Sequence, residues 1–543
     1  MKKISKLTLL LLLPLCLTGC SLFGGDNNEE SSQQVGQSSP TDVTTSKQTS
    51  SSEQKGSSEN NSSSERQSSS SAASSEQKTS SAASSSSAKQ SSSAEQSSSQ
   101  ASSSSAQQSS SGPKYNVPEG FTPYKANVPV ELAASLSETN SKYDLEFAYD
   151  DSYFYGNTEV YDQDLALLSF GASVVTGDAA SVKSFYEAAG FSHVKSYGYD
   201  VAPTKDSVGV NFAYKILANN QPLIAISFRG FNYGMEWSNN FLIGEDGEHN
   251  GFLEANRKVF GYFSSFNDET NILEDYSAPI YWVTGYSRGG ALANIFANTF
   301  NRTITVYAYT FEAPAVTVEE ELQYCNQHIH NIRNSSDIVT CIPPEAYGMC
   351  RYGVDYDIAV QNYEDYVAMF DETINIPEPV GVTINSASYD TDAGIVKAIV
   401  DYAFREDDGS GMTAGTRRDY VRKRYQDGFC NVVGLMLAMS TSTRNEMMAA
   451  MNSLSLLEQI SLLSDGGTLA NFLKPYFDQD GLTYNEDTLA NDCDAVCNAL
   501  TNLLSPLLMI YIDPAMSPAL TRILNLHYPE VTYALLKYAP HNF

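Results

Sequence analysis

The chain has 543 residues and a formal net charge of −31 at neutral pH, from 64 acidic and 33 basic side chains. Because the first 112 residues are nearly neutral, almost all of that charge falls on residues 113–543. So acidic a surface argues against nucleic acid as a partner, since phosphate binding depends on lysine and arginine. It also disfavours adsorption to anionic lipid surfaces.

Residues 1–20 have the pattern of a secretory signal. Lysines precede a short leucine-rich run, and Leu17-Thr18-Gly19-Cys20 follows. This ending resembles a bacterial lipobox, which implies cleavage before Cys20 and lipid attachment to its thiol. We therefore expect a lipoprotein signal peptide and a protein anchored by lipid on the outer face of a bacterial cell membrane. The alternative is an ordinary secreted protein with a chance cysteine.

Residues 21–112 form a second region, in which about half of the residues are serine. Aromatic and branched apolar side chains are almost absent. Such a segment cannot bury enough surface to offset the entropy of an ordered chain, so it is predicted to be a disordered tether.

Cysteine usage fits an exported chain. Apart from Cys16 in the signal and Cys20, six cysteines remain: Cys325, Cys341, Cys350, Cys430, Cys493 and Cys497. An even count in an exported chain predicts disulfides, but the sequence leaves their connectivity open. Cys341 and Cys350 would close the loop around Pro343. We expect no zinc site, because histidines and cysteines do not cluster as zinc requires; no metal or cofactor is predicted.

The folded region from residue 113 begins without a clear motif, and strands and helices then alternate. Helices are predicted at residues 164–175 and 182–190, strands at 208–216 and 222–228, and a helix at 253–266. Strands follow at 280–284 and 304–311. This alternation predicts a mostly parallel sheet covered by helices on both faces.

Gly285-Tyr286-Ser287-Arg288-Gly289 lies between one of these strands and a helical stretch in which Ala291, Leu292, Ile295 and Phe296 recur at helical spacing. A serine on so sharp a strand-to-helix turn presents its hydroxyl outside the sheet, and the glycines let the two backbones pass closely. Ser287 is therefore the predicted nucleophile. The alternative is a loop that happens to contain a serine and two glycines.

Around this serine the order FRG…W…HNGF…GYSRGGALA…FEAP…SSDIV…PP resembles the class 3, fungal-type lipase family of α/β-hydrolases. The resemblance covers roughly residues 205–350, and residues 526–530 resemble the family again near the end of the sequence. It implies an α/β-hydrolase fold and a serine esterase mechanism. Asp337 matches the triad acid of the family, whereas Glu312 is interpreted as structural.

The triad histidine must follow the acid in this fold, which leaves His527 and His541. We favour His527, because it precedes Tyr-Pro-Glu and a helix-like apolar stretch, whereas His541 lies near the end of the chain. The resemblance places the oxyanion hole at the backbone N–H groups of Phe231 and Arg288. Phe231 departs from the usual Ser or Thr, and Tyr286 and Arg288 replace the usual His and Leu.

Between the acid and the histidine, residues 356–515 are predicted to be a mainly helical insertion, with helices at 363–370, 417–439, 444–453, 456–463 and 488–512. An insertion at this point can cap the pocket, and Trp237 with Phe241 forms the other lid candidate. Asp478, Asp480 and Glu486 fit a calcium loop poorly and are interpreted as a solvated acidic turn.

Together these features predict a surface-anchored serine hydrolase that cleaves carboxylic esters, acylglycerols or other lipid esters, through an acyl-enzyme. One alternative is a short-chain or cell-envelope esterase or a phospholipase. The other is a catalytically inactive binding lipoprotein on a hydrolase scaffold. The natural ester and the oligomeric state are left open.

Overall fold

A computed structural model describes residues 114–133, 142–199, 207–230, 240, 247–300, 303–318, 325–334, 336–343, 348–360, 362–373, 428–429, 431–502 and 526–538. The predicted signal and tether lie outside these residues, and so do Phe231, Trp237, Phe241, Cys430 and His541.

The described strands all lie before residue 358, and the described elements after residue 362 are helices. The strands are β1 Lys125–Ala133, β2 Lys142–Asp150, β3 Ser192–Tyr197, β4 Val210–Ile216, β5 Pro222–Phe228, β6 Ile280–Tyr286, β7 Thr305–Phe311, β8 Ile329–Arg333 and β9 Val354–Asp357. The helices are α1 Gln163–Val174, α2 Ala179–Ala188, α3 Asn250–Thr270, α4 Ile272–Asp275, α5 Arg288–Asn298, α6 Tyr363–Thr373, α7 Thr441–Ser453, α8 Leu456–Leu462, α9 Gly466–Gln479, α10 Leu489–Asn502 and α11 Pro529–Tyr538.

Strands β3 to β9 form one seven-stranded sheet in chain order. The pairs β3–β4 and β4–β5 are antiparallel, and every pair from β5 to β9 is parallel. The predicted α/β fold with a mostly parallel sheet is confirmed. All seven residues of β6 are buried, as expected for a central strand covered on both faces.

Alternate residues of β6 enter two different cores. Trp282 and Tyr286 belong to a cluster with α1, α2 and α11, whereas Tyr281 and Val283 belong to a cluster with α3 and α5. Successive side chains of a strand point to opposite faces of the sheet, so this alternation shows that β6 is covered on both faces. The sheet therefore separates the helix that follows Ser287 from the helix that follows His527.

The antiparallel hairpin β1–β2 was not predicted. Val128 and Val130 alternate inward along β1 and pack with Phe147 and Tyr149 of β2, and Leu132 is buried on the same face. Apolar residues do recur at every second position of β1, which is typical of a strand. However, Pro129 within β1 argues against a strand, because proline has no N–H to donate to a neighbouring strand. Here the ladder tolerates it, since the hairpin is a two-stranded sheet of its own.

Residues between the predicted acid and histidine contain α6 to α10, and residues 431–438 are also helical. Side chains of residues 429–497 form a separate hydrophobic core, rich in methionine, which also takes in Ala315 and Met349 from loops at the edge of the sheet. Helix α9 was not predicted because Gly466, Gly467 and Pro475 are helix breakers.

The cysteines of the described chain, Cys325, Cys341, Cys350, Cys493 and Cys497, form no disulfide with one another. The predicted closure of a loop by Cys341 and Cys350 is therefore absent from the structure. In the same part of the chain, none of the helices has the length and apolar character needed to cross a membrane.

Candidate active site

Ser287 lies at the junction of β6 and α5 with φ 54° and ψ −126°. A positive φ at a residue with a side chain costs roughly 1–3 kcal/mol and persists only where surrounding contacts enforce it. Here the Ser287 N–H donates to the carbonyl of Phe311 at 2.8 Å, and its carbonyl accepts from Ala291 at 3.1 Å. The neighbouring strand and the first turn of the helix thus hold the serine in this conformation.

The motif glycines allow this turn because no side chain would fit there. A Cβ on Gly285 would lie 2.1 Å from the carbonyl oxygen of Gly289. A Cβ on Gly289 would lie 2.5 Å from the carbonyl oxygen of Phe228 and 3.0 Å from the nitrogen of Gly230. The contact at Gly285 is the close passage of β6 and α5 that the strand–turn–helix pattern predicts, and the contacts at Gly289 show that the end of β5 also passes directly against the start of α5.

The structure brings Ser287, Asp337 and His527 together, although 190 residues separate the last two in sequence. His527 Nε2 lies 2.8 Å from Ser287 Oγ, and His527 Nδ1 lies 2.5 Å from Asp337 Oδ2. Asp337 is fully buried, whereas Ser287 and His527 retain 8% and 7% exposure. The serine hydroxyl is thus within hydrogen-bond reach of a base that a buried carboxylate orients.

Local hydrogen bonds fix the orientation of Asp337 after β8. Its N–H donates to the carbonyl of Asn334 at 2.9 Å. Its Oδ1 accepts from the N–H of Val339 at 2.9 Å and so caps the short 3₁₀ turn at Ile338–Cys341. Because Oδ1 is occupied in this way, Oδ2 is the oxygen that faces the imidazole.

His527 is positioned by the packing of the helix that follows it. Tyr528, Val531 and Leu535 are buried in the core beside α1. The side-chain amide of Gln163, at the start of α1, donates to the carbonyl of Leu536 at 2.6 Å. The apolar stretch after His527 therefore docks α11 on the sheet and delivers the imidazole to Ser287.

Tyr286, unusual beside such a nucleophile, links the serine turn to the histidine segment. Its hydroxyl donates to the carbonyl of His527 at 3.0 Å and lies 2.8 Å from Thr532 Oγ1. Thr532 Oγ1 in turn lies 2.9 Å from Glu312 Oε1. No signal in the sequence marks Thr532 for this role.

Glu312 lies close to the triad but does not reach His527 through its carboxyl group. Its Oε2 accepts from the N–H of Asn334 at 2.8 Å, and its Oε1 contacts Thr532. Burial, reinforced by the negative charge of Asp337, raises the pKa of Glu312 well above its usual range. The interpretation of Glu312 as a structural residue agrees with these contacts.

Arg288 is the first residue of α5. N–H groups in the first helical turn have no acceptor within the helix and carry its positive end, which suits a developing oxyanion. The Arg288 guanidinium is turned away into the protein, where it donates to the carbonyl of Ser207 at 3.1 Å. Only its backbone is therefore suited to the predicted role; Phe231, the other predicted donor, lies outside the described residues.

His249 and Arg229 have structural contacts. The His249 ring is fully buried, lies 3.9 Å from the Phe252 ring centroid, and its Nε2 is 3.2 Å from the carbonyl of Asn240. Burial lowers the pKa of His249 to about 3, so its ring is neutral. Arg229 places its guanidinium 4.8 Å from the Tyr199 ring centroid.

The acidic turn near residue 480 has hydrogen-bond partners within the protein. Asp480 accepts from Thr443 Oγ1 at 2.6 Å, and Glu486 pairs with Lys474 at 2.7 Å. Within the described ranges, His, Cys, Asp and Glu side chains form no group of three or more that could hold a metal ion.

Part of the chain that contains Ser287 matches a known protein family. Residues 225–347 match the family model described as "Lipase (class 3)". The chain has no significant match among curated protein sequences. The matched segment contains the serine turn and the predicted acid, whereas His527 lies far beyond it.

Among solved structures, fungal lipases are similar to part of the chain. A lipase–propeptide complex from Rhizomucor miehei is 19% identical over 36% of this chain and 66% of its own, with a TM-score of 0.28. Lipase II from Rhizopus niveus is 17% identical over 36% and 78%, also at 0.28. A mono- and diacylglycerol lipase from Aspergillus oryzae is 15% identical over 37% and 82%, again at 0.28.

These likenesses are too low to indicate a substrate. The family match is the finding that classifies this segment. Residues 225–347 resemble the class 3 lipases, which supports a lipase-like ester hydrolase.

Proposed function

We propose that this protein is a serine hydrolase that cleaves carboxylic esters of lipids, acylglycerols among them, through an acyl-enzyme on Ser287. The observation that carries the proposal is the continuous series of contacts from Ser287 Oγ through His527 to Asp337 at a strained strand-to-helix turn. The class 3 lipase match over the segment that contains Ser287 and Asp337 supports the ester as the bond that is cleaved.

The chemistry follows from these contacts. Ser287 Oγ attacks the ester carbonyl carbon while His527 Nε2 takes its proton, and Asp337 accepts the Nδ1–H and stabilises the imidazolium. When the tetrahedral intermediate collapses, Nε2–H returns that proton to the departing alcohol and leaves an acyl group on Ser287. Water then attacks the acyl-enzyme with His527 as base, which releases the acid and restores the serine.

The oxyanion needs donors that are already in place before the reaction. We assign this role to the backbone N–H of Arg288 and, as the second donor, to that of Phe231. Loss of one such donor typically lowers the rate by about 100–1000-fold. Because both are backbone groups, the unusual side chains at these positions do not remove them.

The proposed location is the outer face of a bacterial cell membrane, with Cys20 as the lipid anchor and residues 21–112 as the tether. The high negative charge of the folded region favours a neutral ester over an anionic lipid surface as the substrate.

The full chain should hydrolyse nitrophenyl esters, and Ser287→Ala should reduce the rate to background. A fluorophosphonate should label the wild-type protein and not the variant. Equal rates for the two proteins, with no labelling of Ser287, would refute the hydrolase proposal and favour a catalytically inactive binding protein. A series of rising acyl chain length separates a lipase, with an optimum at long chains, from a short-chain esterase.

A further inference from the structure

Four oxygen atoms lie in a row behind the predicted triad. They are the backbone oxygen of His527, the hydroxyl of Tyr286, Oγ1 of Thr532 and Oε1 of Glu312. The successive separations are 3.0, 2.8 and 2.9 Å, each within the range of a hydrogen bond. Tyr286, Thr532 and Glu312 are fully buried, so each polar atom depends on its neighbours for hydrogen bonds.

The hydrogens available to this row can be counted. Three contacts need three hydrogens, but Tyr286 and Thr532 supply only one each. A carbonyl oxygen can only accept, so Tyr286 donates to His527. The Tyr286 oxygen is then left to accept from Thr532, and the Thr532 oxygen is left to accept from Glu312. The third hydrogen must therefore be on the carboxyl group of Glu312.

The other oxygen of Glu312 is consistent with this direction. Oε2 accepts from the N–H of Asn334 at 2.8 Å. In a neutral carboxylic acid, the carbonyl oxygen is the one that accepts in this way. The hydroxyl oxygen, Oε1, is then free to donate to Thr532. Each of the two oxygens thus has one partner of the correct kind.

The charges around Glu312 favour the neutral form. Burial, and after it the nearby carboxylate of Asp337, raise the pKa of Glu312 well above its usual range. The N–H of Asn334, the Thr532 hydroxyl and the charge of Arg351 favour the ionised form and offset this only in part. Burial raises the pKa of Tyr286 well above its usual range, so the phenol keeps the hydrogen that it donates to His527.

We propose that Glu312 is a positioning residue, held as an uncharged carboxylic acid, that directs a chain of hydrogen bonds through Thr532 and Tyr286 to the backbone of His527. The inference rests on the proposed function for its effect on catalysis. The hydrogen-bond direction itself follows from the count of hydrogens over the three contacts and does not depend on that function.

This arrangement has two consequences for the reaction. The chain ties the residue before Ser287 to the backbone of the base, so the distance between nucleophile and base is held from behind. A neutral Glu312 also avoids placing a second negative charge beside Asp337. Such a charge would favour the protonated imidazole and so remove the base that Ser287 needs.

The test compares two substitutions of Glu312 in the full chain with nitrophenyl esters as substrate. In Glu312→Gln the amide N–H can donate to Thr532 while the amide oxygen accepts from Asn334, so we expect kcat to stay within about two-fold of wild type. In Glu312→Ala the chain loses its first donor, and kcat should fall roughly 10–100-fold with KM little changed. Thr532→Ser should retain kcat, and Thr532→Val should lower it.

An ionised Glu312 would place a second negative charge beside Asp337, and Glu312→Gln removes that charge. The dependence of kcat on pH would then differ between wild type and Glu312→Gln around neutrality. That result would overturn the proposal, and so would a loss of kcat in Glu312→Gln as large as that in Glu312→Ala.

Infrared spectroscopy reads the protonation directly and does not depend on activity. The wild-type minus Glu312→Gln difference spectrum at neutral pH should contain the carbonyl band of a protonated carboxyl group, and absence of the band refutes the proposal. If Ser287→Ala proves as active as wild type, the proposed function fails while the band still decides the state of Glu312. Should Glu312→Gln not fold, Thr532→Val should shift the same band, because it removes the hydrogen-bond partner of that carboxyl group.

Discussion

Asp337→Asn is the most direct perturbation of the proposed base, because it removes a charge and one acceptor while leaving the shape of the side chain nearly unchanged. Asp337 Oδ1 accepts from the N–H of Val339 at 2.9 Å, so the asparagine carbonyl is expected to take that place. The amide NH₂ then occupies the position 2.5 Å from Nδ1 of His527. An NH₂ group can only donate, so Nδ1 must become the acceptor.

This exchange moves the imidazole hydrogen to Nε2, which lies 2.8 Å from Ser287 Oγ. A protonated Nε2 cannot take the proton of the serine, so the neutral ring is in the wrong tautomer for the reaction. The same change in a serine protease triad, with the geometry intact, lowers kcat about 10⁴-fold, or roughly 5.5 kcal/mol in the activation barrier. We expect a loss of that order here.

The assay is kcat and KM for a nitrophenyl ester, with urea unfolding of both proteins as the control for stability. We expect kcat to fall with KM nearly unchanged and the fold to persist, because the bond to Val339 survives. A loss of kcat below about ten-fold, against the roughly 10⁴-fold expected for a triad acid, would refute the assignment of Asp337. Retained kcat with a raised KM would do the same.

Two further changes test the serine turn and a buried histidine. Gly289→Ala places a Cβ 2.5 Å from the carbonyl oxygen of Phe228, so the end of β5 must move away from α5. We expect kcat to fall roughly 100-fold. A fully active variant would contradict the close approach of β5 and α5. Burial lowers the pKa of His330 from 6.5 to about 4, so below pH 6.5 the unfolded chain binds a proton that the folded chain does not. The contribution of His330 to the free energy of unfolding should therefore fall by about 1.4 kcal/mol for each pH unit below that value, until the folded pKa is reached. Urea unfolding at several pH values measures how the free energy of unfolding changes with pH. In His330→Phe this change should be smaller by about 1.4 kcal/mol per pH unit. An NMR titration of His330 with a midpoint near 6.5 would contradict the reasoning.

Local patterns in the sequence were sufficient for the serine turn. Gly285, Ser287 and Gly289 stand between an apolar run and a stretch of helical spacing, and each of these features acts over only a few residues. Backbone sterics alone demand glycine where two chain segments touch, so the motif and its flanking elements predict the turn together.

Elements with contradictory local signals were missed for a physical reason. Pro129 disfavours a strand, and Pro475 disfavours a helix, yet β1 and α9 form around them. Their stability comes from tertiary burial: Val128 packs in the core of the sheet, and Leu473 packs in the methionine-rich core of residues 429–497. Propensity is a weak prior that such packing overrides.

The sequence by itself determined the type of chemistry that we propose, because the order of the predicted nucleophile, acid and histidine and the turn around Ser287 can be read along the chain. Only the tertiary structure decided what joins them. Tyr286, Thr532 and Glu312 are far apart in sequence, and none of them has a local pattern that predicts a partner. Their contacts exist because α11 docks against the sheet and brings Thr532 between the other two. Hydrogen-bond direction depends on which atoms meet in space, and spacing along the chain carries no information about that.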